Sequence, residues 1–102
     1  MINGATLARM KPDALLVNTA RGPLCDYDDL YVALRDGVIG AAMLETFSVE
    51  PAPPDWPLLQ LDNLTMTPHI AGASVRTATY AAEQLAEDVR RYFAGEPLRN
   101  QC

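Results

Sequence analysis

Two unbroken apolar runs limit the folds open to this chain: Ala14-Leu15-Leu16-Val17, closed by Asn18, and Val38-Ile39-Gly40-Ala41-Ala42-Met43-Leu44. A strand with one face in water alternates apolar and polar residues. A continuous run is how a strand covered on both faces reads, which points to a parallel sheet packed between helices. Between the runs, Asp26 and Asp29 are spaced like a carboxylate variant of a capping box. Tyr27, Leu30, Tyr31 and Leu34 then recur at the i, i+3, i+4, i+7 spacing of an amphipathic helix that stops at Asp36-Gly37. This strand–helix–strand order requires a right-handed crossover and predicts a central place in the sheet for the first strand.

The flanking segments extend the same pattern. Ala5 to Met10 reads as a short helix, with Asn3 as its cap and Lys11-Pro12 as its end. A helix covering a parallel sheet should follow a strand, so the chain is expected to enter the fold part-way through. From Thr46 to Asp62 the periodicity lapses into a proline-dense loop, Pro53-Pro54-Asp55-Trp56-Pro57, in which Leu58, Leu59 and Leu61 can plug onto the core. Leu64 to Thr67 gives a third strand. Ser74 then caps a long helix with the apolar stripe Ala78, Ala82, Leu85, Val89 and Phe93, ended by Gly95-Glu96-Pro97. Its other face carries Glu83, Glu87, Asp88, Arg90 and Arg91, with Glu87 and Arg91 an i,i+4 pair on what reads as a solvated face.

At 102 residues and 49% hydrophobic content, the chain can hold one core. Its net charge is -5 with scattered basic residues, which does not suggest a nucleic-acid groove or a polybasic membrane patch. There is no apolar run of spanning length and no signal-peptide pattern. The two cysteines, Cys25 and Cys102, support neither a disulfide framework nor a zinc site; a reducing compartment, the cytosol, is the default expectation.

Ligands of open parallel sheets bind beyond the carboxyl ends of the strands. Arg21, Glu45 and His69 each follow a different strand end, and His69 is the only histidine. Taken singly, each has an ordinary explanation: a surface turn for Arg21, a loop cap for Glu45, a turn beside proline for His69, and a solvated loop carboxylate for Glu50. Their convergence on one crevice favours a site over coincidence.

The motifs Met10-Lys11-Pro12, Leu16-Val17-Asn18-Thr19-Ala20-Arg21-Gly22-Pro23-Leu24, Glu45-Thr46-Phe47 with Glu50-Pro51, and Thr67-Pro68-His69-Ile70-Ala71-Gly72 occur here in order and at characteristic spacing. Together they closely resemble the D-isomer-specific 2-hydroxyacid dehydrogenases over essentially the whole chain. The resemblance implies an α/β fold, a partial Rossmann-type parallel sheet of about three strands with covering helices and a long C-terminal helix. Residues 1–102 would form the C-terminal portion of a dinucleotide-binding domain, without the glycine-rich loop or the substrate domain.

It further implies hydride transfer between NAD, or alternatively NADP, and a small D-2-hydroxy acid or 2-keto acid, in a cytoplasmic protein that is a homodimer when complete. His69 would be the general acid/base, Glu50 its carboxylate partner, and Arg21 the guanidinium that grips the substrate carboxylate. The nicotinamide side would be lined by Thr19, Ala20, Arg21, Glu45, His69, Ile70, Ala71 and Gly72, with no metal. Glu45 departs from the family, which more usually has aspartate there. The physics agrees with these roles: an imidazole donates a proton near neutrality, a neighbouring carboxylate favours its imidazolium form, and a guanidinium fork matches a carboxylate. Cys25 reads as a small buried hydrophobe. Two other readings compete: a cofactor-sensing scaffold or corepressor, opposed by the intact Arg21, Glu50 and His69, and a hydrolase, opposed by the lack of a nucleophile elbow.

Overall fold

The computed structural model describes residues 1–99; Cys102 therefore lies outside the described residues. The chain divides into two units, Met1–His69 and Ile70–Cys102. In the first unit a short helix α1 (Gly4–Leu7) precedes β1 (Leu15–Asn18), α2 (Tyr27–Arg35), β2 (Ala41–Leu44) and β3 (Leu64–Met66). The strands form one parallel sheet in the order β1-β2-β3. The second unit is built on α3 (Val75–Ala94). The parallel α/β architecture expected from the apolar runs is the one that forms.

Local chemistry accounts for most boundaries. Asn3 and Thr6 make a reciprocal capping box at α1. Asp26 caps α2 by accepting from the N–H groups of Asp28 and Asp29. The Asp29 carboxylate does not reach back to close a second box. It accepts instead from the Gly4 N–H at 2.7 Å, joining the two helices. Ser74 caps α3, and Gly95, at φ 69°, ends it in the left-handed conformation suited to glycine. On α3, Glu87 pairs with Arg91 at 2.8 Å and with Arg90 at 3.0 Å, and these guanidiniums, Arg90 foremost, hold the Glu87 carboxyl down at about 2. Of the apolar stripe on this helix, Leu85, Val89 and Phe93 are exposed.

Leu7, Leu30, Leu34, Ile39, Leu44 and Leu58 form a core between helices and sheet. Burying each such side chain contributes roughly 1.5–3 kcal/mol. Leu58 pins the proline-dense loop, as its position in the sequence suggests. Two expectations are corrected. The second apolar run joins the sheet only from Ala41: the N–H groups of Val38 and Ile39 turn back to the Ala33 carbonyl, which drops Ile39 into the core as a plug. The central strand is β2, not β1. β1 lies at the edge, with Leu15 60% and Val17 50% exposed.

An apolar edge strand with unpaired backbone groups is a template for association. The 102-residue chain is expected to self-associate as its concentration rises, and Val17→Lys should weaken this. Sedimentation velocity checks it; a wild-type chain that stays monomeric would show that the β1 edge is inert.

Candidate functional site

All three strands stop at the same row, since Asn18, Leu44 and Met66 are register partners. The residues that follow are Thr19 to Arg21, Glu45, and Thr67 to His69, so three polar segments emerge side by side within the first unit.

Beyond β1 the turn is clasped by Asn18, whose side chain accepts from the Ala20 N–H and donates to the Arg21 carbonyl, both at 3.1 Å. Thr19, Ala20 and Arg21 are exposed there. Arg21 is extended, at φ -147° and ψ 144°, and starts the 3-10 turn Gly22–Leu24; its guanidinium bends back to the Ala20 carbonyl at 2.6 Å. Gly22 next to it is buried against the loop beyond β2. A Cβ on Gly22 would fall 2.1 Å from the Phe47 carbonyl carbon, 2.2 Å from its oxygen and 2.4 Å from Ser48 N. Only a residue without a side chain lets these backbones touch. Nearby Cys25 is buried, and burial pushes its thiol up to about 11, the state of a packing group rather than a nucleophile.

The loop that follows Glu45 is held from α2. The buried Tyr27 hydroxyl donates to the Thr46 carbonyl at 2.8 Å, and its ring meets Trp56 edge-on at 5.1 Å; Trp56 in turn meets Phe47 at 6.2 Å. Burial pushes the Tyr27 phenol up to about 12. Held this way, the loop folds Glu50 back so that one carboxylate oxygen accepts from the Phe47 N–H at 2.9 Å.

His69 closes the site. Its Nδ1 lies 2.8 Å and 3.0 Å from the two Glu50 carboxylate oxygens. The His69 N–H donates to the Thr67 carbonyl at 2.9 Å, an i to i+2 bond around Pro68, whose fixed φ suits an inverse γ-turn. His69 itself is left-handed, at φ 53°. The strained residue of the Thr67–Gly72 motif is thus the histidine, whereas nothing crowds Gly72. Such strain persists only where surroundings over-determine it, and it clusters at functional sites.

The Phe47 N–H, followed by the His69 bond, holds the Glu50 carboxyl below its ordinary 4.5, and Arg21 adds a smaller pull in the same direction. Arg21, Glu50 and His69 thus share one electrostatic environment. Beside the pair opens a pocket of about 310 Å³, walled by Phe47, Pro51, Ala52, Met66 and Pro68, with Glu50, Thr67 and His69 as its polar groups. Glu45 is placed differently from expectation: it is 4% exposed, and its Oε2 accepts from the Thr67 hydroxyl. Ile70, Ala71 and Gly72 begin the second unit, where the Ala73 N–H closes a turn on the Ile70 carbonyl. Sequence reasoning missed Asn18, Tyr27, Trp56 and Thr67 as organisers of the site. A polar residue closing a buried strand was the one available signal, at Asn18. Among the described residues no cluster of three or more His, Cys, Asp or Glu is placed to hold a metal, and no helix is long and apolar enough to cross a membrane.

Two changes probe this geometry. A lowered carboxyl pKa holds the loop fully above pH 4.5 and releases it as pH falls through the lowered value. His69→Ala should move the Glu50 midpoint up towards 4.5 but not the whole way, since the Phe47 N–H remains; carbon-detected titration of the Glu50 carboxyl measures it, and an unmoved midpoint would mean the pair is not formed. Gly22→Ala forces a Cβ into backbone and should cost at least about 1–3 kcal/mol in denaturant unfolding.

The family described as D-isomer specific 2-hydroxyacid dehydrogenase, NAD binding domain, matches residues 1–71. The chain is 47% identical over 96 residues to a glyoxylate reductase of Korarchaeum cryptofilum, covering 94% of this chain and 29% of that protein. It is 38% identical over 100 residues to a D-3-phosphoglycerate dehydrogenase of Archaeoglobus fulgidus, covering 98% and 19%. A crystal structure of a D-isomer specific 2-hydroxyacid dehydrogenase from Xanthobacter autotrophicus Py2, in complex with NADPH and MES, superposes with a TM-score of 0.80 at 44% identity, covering 99% of this chain and 41% of that one. The chain spans about a third or less of the length of the curated relatives it matches.

Proposed function

Since this chain belongs to the D-isomer specific 2-hydroxyacid dehydrogenase family, we propose that it carries the acid/base and carboxylate-binding groups of an NAD(P)-dependent oxidoreductase acting on a small D-2-hydroxy acid or its 2-keto acid. The observation that carries the reading is the Glu50–His69 pair at 2.8 Å, formed at the mouth of a parallel sheet with Arg21 close enough to act on Glu50. A scaffold that merely sensed a cofactor would have no need of a left-handed histidine held by a carboxylate.

The residues present fit a nicotinamide cofactor. Strand ends are where such sheets bind dinucleotides, and the exposed Thr19-Ala20-Arg21 turn and an apolar-walled pocket offer a flat ring both edge contacts and a dry face. When bound, the cofactor supplies or accepts the hydride. In keto-acid reduction, His69 gives the Nε2 proton to the substrate oxygen while Glu50, on Nδ1, stabilises the imidazolium; in oxidation the neutral ring takes that proton back. The Arg21 guanidinium, released from the Ala20 carbonyl, grips the substrate carboxylate. Glu45 is assigned to the nicotinamide side by sequence motif, its buried carboxylate accepting from the Thr67 hydroxyl. The assignment of Ile70, Ala71 and Gly72 to the same cofactor comes from sequence motif alone.

Residues 1–102 form, in this reading, the C-terminal portion of the dinucleotide-binding domain; the glycine-rich loop and substrate domain come from outside this segment. The complete protein is a cytoplasmic homodimer. The net charge of -5 on these 102 residues disfavours a nucleic-acid partner.

Grafting residues 1–99 in place of the matching segment of the Korarchaeum cryptofilum glyoxylate reductase tests the reading. The graft should reduce glyoxylate with NADH or NADPH. His69→Ala should lower kcat by about 10²–10⁴-fold with cofactor binding little changed, whereas Arg21→Ala should chiefly raise the keto-acid KM. A graft without activity, or one indifferent to His69→Ala, would refute it.

A further inference from the structure

We infer that Thr67, anchored on the buried carboxylate of Glu45, is a positioning residue that sets the His69 imidazole for proton transfer, an inference that builds on the acid/base reading above. Two independent features of the structure meet here. The first is register. Leu44 pairs with Met66 and the Thr67 N–H donates to the Leu44 carbonyl at 3.0 Å, so the ladder runs one step past the named strands and sets Glu45 beside Thr67. Residues paired across parallel strands present their side chains to the same face, within reach of each other at the ~4.8 Å strand spacing. The second is burial. Glu45 is 4% exposed, and a carboxylate taken from water needs donors; the Thr67 hydroxyl supplies one to Oε2.

The consequence reaches His69 through a short, stiff path. Thr67 fixed at its side chain also accepts the His69 N–H at its carbonyl, and Pro68 between them has no freedom in φ. Rotation of Thr67 therefore swings the whole turn, and with it the ring that must meet Glu50 2.8 Å away. Glu50 holds the imidazole from the ring end, whereas Glu45 acts on its backbone through Thr67. The length of Glu45 matters as well, because an aspartate would end one methylene short of the hydroxyl.

The substitutions Thr67→Val, Thr67→Ser, Glu45→Gln and Glu45→Asp test this in the 102-residue chain carrying Val17→Lys to weaken association at the β1 edge, where the single histidine gives one imidazole to follow by NMR. Thr67→Val keeps the shape and loses the hydroxyl; it should shift the His69 ring signals and raise the Glu50 titration midpoint. Thr67→Ser should restore both. Glu45→Gln keeps an acceptor oxygen at the same reach and should resemble wild type, while Glu45→Asp should resemble Thr67→Val. In the grafted reductase, Thr67→Val should lower kcat by up to about 10²-fold with the cofactor KM little changed. If the Thr67→Val chain loses its dispersed amide spectrum, the two Glu45 variants and the graft decide. Unchanged His69 and Glu50 signals in Thr67→Val, or no rescue by serine, would overturn the inference. A graft that is inactive while the NMR coupling holds would sink the dehydrogenase reading and leave the positioning role standing.

Discussion

The carboxyl edge of this molecule depends on the register of three short parallel strands. Because Asn18, Leu44 and Met66 share a row, the chain leaves the sheet three times at one height, and strand spacing brings the following residues within the width of a small molecule. A one-residue slip of β3 would turn Thr67 to the opposite face. Glu45 would lose the Thr67 hydroxyl and His69 its carboxylate in the same step. The apolar cluster below, from Leu30 to Leu58, is what specifies that register.

The segment beyond β2 is irregular, yet it delivers its carboxylate to a defined place. Three contacts of different kinds hold it: the Tyr27 hydroxyl on the Thr46 carbonyl, the Trp56 ring between Tyr27 and Phe47, and the bare Gly22 backbone against Phe47 and Ser48. A functional loop on a rigid scaffold is the usual arrangement, but here the scaffold concedes something. Glu45 and Thr46 are the buried polar residues among those described, and the Thr46 hydroxyl has no hydrogen-bond partner. An unmade buried hydrogen bond costs about 1–3 kcal/mol. Such a loss is expected where a strand end is shaped for a site rather than for stability.

The elements with local causes were readable in the sequence. Asn3, Asp26 and Ser74 cap the helices as their spacing suggests, and Arg21, Glu45 and His69 follow three strand ends. What escaped reading is long-range. An apolar run states that a strand is meant to be covered, not which neighbour covers it, so β1 reads as central although it lies at the edge. Asp29 serves Gly4, twenty-five residues away, instead of its own helix. Thr67 looks like the last residue of a strand until the register places it next to Glu45. Tyr27 and Trp56 read as part of a helix stripe and a loop aromatic; their shared hold on Thr46 and Phe47 exists only once the crossover is made.

His69 shows how these constraints combine. A left-handed backbone at a non-glycine residue costs on the order of 1–3 kcal/mol, and a free chain would relax it. Here relaxation in either direction breaks a bond. Turning the backbone one way undoes the N–H to Thr67 carbonyl bond around Pro68, and turning the ring away abandons both Glu50 oxygens. Since Thr67 is tied to Glu45 and Glu50 to the Phe47 N–H, the restraint on this one residue traces back to two neighbouring strand ends and the loop between them. The imidazole is thus oriented by the fold before any ligand arrives, and the strain it carries measures how firmly the surrounding contacts hold it.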